Sequence, residues 1–200
     1  MLWFDPPWDT HTYWAVDLET GGFNPKRDPI LSVGMVPIYG GIIRVGEGWT
    51  SLVRSDPGDN IDPGSIAAHH IVPADLAHAP SLRDVLTAVD VRLRSGVLLV
   101  HQAAIDVDFL KRAYASNGLP WPRPKVVDTV DLIVKLAKRA RLVNPSAHDT
   151  EPELNLTLSR RGFGLPDYGR HDALTDAIST AELFLVLRKR LGAKGLRDLR

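Results

Sequence analysis

Apolar and polar positions divide the chain into a strand-rich opening and a longer stretch where helices and short buried strands alternate. Residues 13–19 (Tyr-Trp-Ala-Val-Asp-Leu-Glu) read as a strand that breaks at Gly21-Gly22. Residues 30–38 read as a second strand. Tyr39-Gly40-Gly41 is a hairpin signal, and 42–53 a third strand interrupted near Gly46-Glu47-Gly48. Residues 56–80 read mostly as loop, with one short helix over 63–69 capped by Asp62. Ser81 then caps a clear helix. Its Leu82, Val85, Leu86, Val89 and Leu93 follow three-to-four spacing, and Gly96 ends it. Residues 97–100 are continuously apolar, as in a strand buried on both faces. The pattern then predicts a helix over 108–116, a short strand at 126–127 and a helix over 129–140. A polar loop, a short helix over 154–161 and a long helix over 172–191 follow.

Strands joined by a hairpin run antiparallel, whereas strands joined through helices run parallel. The predicted fold is therefore α/β. It has a mixed five-stranded sheet, with three antiparallel N-terminal strands followed by parallel ones, and helices on both faces. Three segments are expected: an irregular lead-in at 1–12, one catalytic-size domain at 13–191, and a basic tail at 192–200 that frays. Trp3, Phe4 and Trp8 of the lead-in are expected to dock on the body.

Composition changes this picture in two places. There is no cysteine, so disulfides and thiolate metal sites are excluded and any metal is held by oxygen or imidazole. A cysteine-free chain whose start lacks a basic, apolar leader suits a reducing cytoplasm, and no run is long enough to span a membrane. The formal net charge is zero but unevenly placed. Residues 1–119 carry 9 Lys/Arg against 14 Asp/Glu, and residues 120–200 carry 15 against 10. An acidic half beside a basic half allows a metal site next to a polyanion-binding surface.

The chemistry starts in the first strand. Side chains alternate along a strand, so Asp17 and Glu19 share a face, with Cα atoms about 6.5–7 Å apart. Asp106 follows the buried strand at 97–100, at the edge where α/β sheets place ligands. Asp176 shares the inner face of the last helix with Ala173, Ala177, Thr180, Ala181 and Phe184. A carboxylate on a buried face is costly unless paired or metal-bound. His171 stands just ahead of that helix. Four carboxylates and no thiol suit hard cations, Mg²⁺ or Mn²⁺. Two such ions would clamp the attacking and leaving oxygens of a phosphodiester, and a histidine titrating near neutrality could take a proton from the attacking water.

Asp-Leu-Glu-Thr at 17–20, His-Gln-Ala-Ala-Ile-Asp at 101–106 and His-Asp-Ala-Leu-Thr-Asp-Ala at 171–177 resemble the three motifs of the DEDDh, or DnaQ-like, 3′–5′ exonucleases. That family includes the epsilon proofreading subunit of bacterial DNA polymerase III. His69-His70-Ile71, Val127-Asp128-Thr129 and Leu154-Asn155-Leu156 are weaker matches, and Gln102 and Asn155 depart from the family pattern. The resemblance implies a ribonuclease-H-like fold. It also implies two Mg²⁺ or Mn²⁺ ions on Asp17, Glu19, Asp106 and Asp176, and a general base at His171. Thr20 would lie beside the substrate's 3′ end, and His69 near its terminal base. The implied activity is hydrolysis from the 3′ end of single-stranded nucleic acid, with DNA favoured and 5′-mononucleotides released. A polymerase or replication partner would fit the resemblance, and no membrane is expected. The alternatives are an exoribonuclease or oligoribonuclease-type enzyme, and a non-catalytic nucleic-acid-binding module on the same fold.

Overall fold

The computed structural model describes residues 5–56, 58–143, 151–169 and 172–200. Trp3, Phe4 and His171 lie outside the described residues. The central strands β1 (Tyr13–Thr20) and β2 (Ile30–Tyr39) pair antiparallel. β1 also pairs in parallel with β5 (Val97–Val100), which pairs in parallel with β6 (Val126–Asp128). The expected third strand is split in two. β3 (Ile42–Ile43) and β4 (Trp49–Leu52) pair with different ends of β2, and a 3₁₀ turn at Val45–Glu47 lies between them. The sheet therefore has six strands, with β3 and β4 sharing the outermost row.

Helices cover both faces. α1 (Pro63–His69), the short α2 (Pro73–Leu76) and α3 (Leu82–Ser95) precede β5. α4 (Ala103–Ser116) links β5 to β6. α5 (Thr129–Val143), α6 (Leu156–Gly162) and α7 (Ala173–Leu191) follow. Asp62 and Ser81 cap α1 and α3 as predicted, their side chains accepting from the backbone of Gly64 and Asp84. No described helix is long and apolar enough to cross a membrane.

Strand alternation sorts the core into two layers. Tyr13 and Ala15 of β1, Val36 and Ile38 of β2, and Leu99 of β5 pack under α5 and α7. Val16 and Leu18, Val33 and Met35, and Leu98 and Val100 face α3 and α4. Asp17 and Glu19 continue the face of Tyr13 and Ala15, the side covered by α7.

Two predictions fail for reasons of tertiary contact. α4 begins at Ala103, not 108, because its cap is distant. Gln102 takes a left-handed conformation (φ 75°), and the Asp128 carboxylate at the end of β6 accepts from the backbone N–H groups of Gln102 and Ala103 at 2.9 and 2.7 Å. The C-terminal tail does not fray. Residues Leu196–Leu199 form a 3₁₀ turn that buries Leu196 and Leu199, and the Trp8 N–H donates to the Lys194 carbonyl. Trp8 docks as expected, edge-on to Phe184.

One close approach sets the spacing of the α7 face. Gly34 of β2 lies directly opposite Asp17. A Cβ on Gly34 would overlap the backbone of Ala173 and Leu174, the first residues of α7. Only a bare backbone lets the helix start rest on the strand. Gly34→Ala should therefore cost about 1–3 kcal/mol of stability by overpacking. Urea denaturation monitors this, and an unchanged midpoint would contradict the close packing.

Candidate active site

Four elements converge at one end of the sheet. β1 pairs with β5 only through Ala15, so Asp17, Glu19 and Thr20 run past the end of β5 into a cleft. Asp106, in the first turn of α4, reaches across that gap. The Leu18 backbone N–H lies near enough to its carboxylate to offset part of the rise that burial imposes. α7 is capped by Asp172, whose side chain accepts from the Thr175 N–H at 3.0 Å, and Asp176 lies in its first turn. With the start of α7 seated on Gly34, Asp176 comes down onto Asp17.

Carboxylate oxygens of Asp17, Glu19 and Asp176 lie within 4.8 Å of one another. Asp106 stands outside this trio but close enough to interact electrostatically with Asp17 and Glu19. Asp17 keeps a partly exposed face to the cleft yet is densely surrounded by protein. That burial holds its carboxyl well above the usual carboxylate range, reinforced by the charges of Asp106, Asp176, Glu19 and Asp172. Asp106 is 5% exposed. Burial raises it too, followed by the charge of Asp128, against the lowering effect of its backbone donors. Like-charged oxygens held this close fit a hard cation, which removes the repulsion and repays the desolvation. The oxygens of Asp17, Glu19 and Asp176 are close enough together to hold one.

The cleft has a volume of about 1000 Å³. Thr20 and His69 both line it. The Thr20 hydroxyl donates to the Gly22 carbonyl at 2.7 Å and so shapes the turn after β1. His69 is buried and its Nδ1 accepts from the Ile71 N–H at 3.0 Å, which leaves the proton on Nε2. Nε2 makes no well-formed hydrogen bond, although the Thr20 carbonyl is near enough to offset part of the lowering that burial imposes on the ring. His101 lies just past the end of β5 and lines the same cleft. Its ring nitrogens meet the Thr129 hydroxyl and the Leu154 carbonyl at 2.7 Å each, and burial lowers its pKa.

Three features of the site carried weak sequence signals. Phe23, in the loop after β1, is 87% exposed beside the cleft. A large apolar residue between Gly22 and Asn24 gave no periodicity to read. Asp128 belonged only to a weak motif match after a strand, yet it orders the start of α4 and with it Asp106. Asn155, a departure from the family pattern, has a local reason: it caps α6 by accepting from the Leu158 N–H.

Comparison with known proteins fits this geometry. The family model described as "Exonuclease" (RNase_T) matches residues 15–184. The chain is 34% identical over 193 residues to a "DNA polymerase III subunit epsilon-like protein" of Rhodobacter capsulatus, covering 96% of this chain and 26% of that protein. It is 31% identical over 172 residues to a "DNA polymerase III PolC-type" of Clostridium perfringens, covering 86% and 11%. The chain thus spans about a quarter or less of these relatives. Its fold superposes on E. coli exonuclease I, solved in complex with a dA16 oligonucleotide. The TM-score is 0.77 at 16% identity, over 91% of this chain and 42% of that one. The ribonuclease-H-like architecture implied by the resemblance is therefore the observed one. The chain belongs to the exonuclease family, as a DnaQ-like 3′–5′ exonuclease domain.

Proposed function

We propose that this domain hydrolyses the terminal phosphodiester at the 3′ end of single-stranded nucleic acid, DNA in preference to RNA, and releases 5′-mononucleotides. The observation that carries this reading is the convergence of Asp17, Glu19 and Asp176, with Asp106 beside them, in one large open cleft. Mg²⁺ or Mn²⁺, two ions in the family scheme, would supply charge to stabilise the attacking and leaving oxygens. The chain's own groups do the rest. His171 takes the proton from the attacking water. Phe23 offers a face on which a base can stack. His69 presents Nε2–H, and Thr20 braces the turn against which the sugar lies. Preference for DNA is supported by relatives named for DNA polymerase III and by a fold neighbour solved with a DNA oligonucleotide. The same polymerase names support a replicative or repair partner, and the cysteine-free composition supports a cytoplasmic setting.

A digestion time course with 3′-labelled substrates tests the reading. Single-stranded DNA should be shortened stepwise in Mg²⁺, faster than RNA of the same length, and EDTA should stop the reaction. Stepwise loss from the 5′ end would overturn it.

Asp17→Asn should abolish turnover and, in EDTA, raise the melting temperature. The sign follows from the raised native pKa. The unfolded carboxyl releases its proton near pH 4 while the folded one holds it, so ionisation favours unfolding as pH rises above that value. The variant's advantage should grow from pH 4 to pH 8, and an equal or lower melting temperature at pH 8 would contradict it.

His171→Ala should lose roughly two to four orders of magnitude in rate, the range of a general base, and still bind Mn²⁺. Loss of Mn²⁺ binding by calorimetry would make it a ligand instead.

A further inference from the structure

The proposed chemistry makes no use of Asp28, yet this carboxylate of the cleft wall accepts three hydrogen bonds. It lies in the loop between β1 and β2 and is 6% exposed, shielded by its own loop and not by the deep core. Oδ2 accepts from the Asn24 N–H at 2.8 Å. Oδ1 accepts from the Asn60 side-chain amide at 2.6 Å and from Arg27 Nε at 3.0 Å. Burial by itself would raise this carboxyl, but the three donors outweigh it and hold the group below the usual range.

The bonds from Asn24 and Arg27 are local to the loop. The one from Asn60 crosses to the segment that leads into α1. The backbone makes the same crossing: the Asp62 N–H donates to the Gly21 carbonyl at 2.7 Å. The two walls are pressed together there. A Cβ on Gly21 would come within 2.6 Å of the Asn60 carbonyl, and one on Gly22 would overlap the Asp28 carboxylate itself. One wall carries Thr20 and the exposed Phe23, and the other leads to His69. Both line the same cleft. Phe23 gains nothing from the apolar core, so its position depends on the polar ties of its loop.

We propose that Asp28, acting through Asn60, is a positioning residue that staples the two walls of the cleft and preforms the pocket for the 3′-terminal nucleotide. The inference rests on the nuclease reading above. None of Asp28's bonds reaches the acid cluster, so its loss leaves the reacting groups in place. What changes is the cost of ordering the walls when substrate binds. That cost falls equally on the ground and transition states, and it appears in KM with little change in kcat.

Asp28→Asn tests this, because an amide cannot accept on both sides. Whichever way it turns, its NH₂ faces a donor. KM for a single-stranded DNA oligonucleotide should rise about tenfold or more, the scale of one lost charge-assisted hydrogen bond. Fluorescence anisotropy with a labelled oligothymidylate, in Ca²⁺ in place of Mg²⁺, should show the same loss. kcat and Mn²⁺ affinity should stay near parent values. The exchanged pair Asp28→Asn/Asn60→Asp restores one donor and one acceptor and keeps a carboxylate beside Arg27, so KM should return towards the parent value. Unchanged KM and binding in Asp28→Asn, a fall confined to kcat, or an exchanged pair as poor as the single variant would each overturn the proposal. Should Asp28→Asn fail to fold, the exchanged pair decides: a KM near the parent's supports the staple and a raised KM refutes it. A parent that binds the oligonucleotide without cleaving it refutes the nuclease reading alone, and anisotropy still decides the role of Asp28. A parent that neither binds nor cleaves refutes both.

Discussion

The seating of α7 on the bare backbone of Gly34 is the contact on which the site depends. β2 could carry a side chain at this position only by lifting the start of the helix, since a Cβ would overlap Ala173 and Leu174. Gly34 is the cross-strand neighbour of Asp17, so the helix lands beside the first acid of the cluster and delivers Asp176 to it. The small residues Ala173, Ala177 and Ala181 continue the same close packing along the helix. One missing side chain in a strand thus fixes a distance between carboxylates that come from opposite ends of the sequence.

That closeness has an electrostatic consequence. Without a cation, burial raises Asp17 and Asp106, and the charges of neighbouring acids raise them further. The fold tolerates the strain because each acid is anchored by something other than its charge. Asp17 and Glu19 sit on a strand paired along its whole length with β2. Asp106 is held in the first turn of α4, whose start Asp128 fixes, and Asp176 by a helix capped at Asp172. Stability held by the backbone and spent at the site is the usual arrangement for a preorganised metal centre.

The cleft walls follow a different logic from its floor. The floor is built on strands and helix starts, whose positions are set by the core. The walls are loops, and polar ties hold them: Thr20 to Gly22, Asp28 to Asn24 and Asn60, and Asp62 to Gly21. Loops so placed can vary in sequence and substrate preference while the reacting groups stay fixed.

Much of this was legible in the sequence because its signals are local. The alternation at 13–19 placed Asp17 and Glu19 on one face, the three-to-four spacing after Ala173 put Asp176 on the buried side, and caps at Asp62 and Ser81 marked helix starts correctly. The order of strands and helices gave the sheet its mixed direction. Tertiary structure decided what local pattern cannot carry. α4 starts at Ala103 because Asp128, from another strand, caps it. The tail from Gly192 is packed because Leu196 and Leu199 find a core face that only the assembled sheet offers. The grouping of Asp17 and Glu19 with Asp176 depends on Gly34, whose meaning lies in the helix that crosses it. A sequence specifies which residues face the core and which carry charge. How closely two such faces meet is set by the volume between them, and that exists only once the chain has folded.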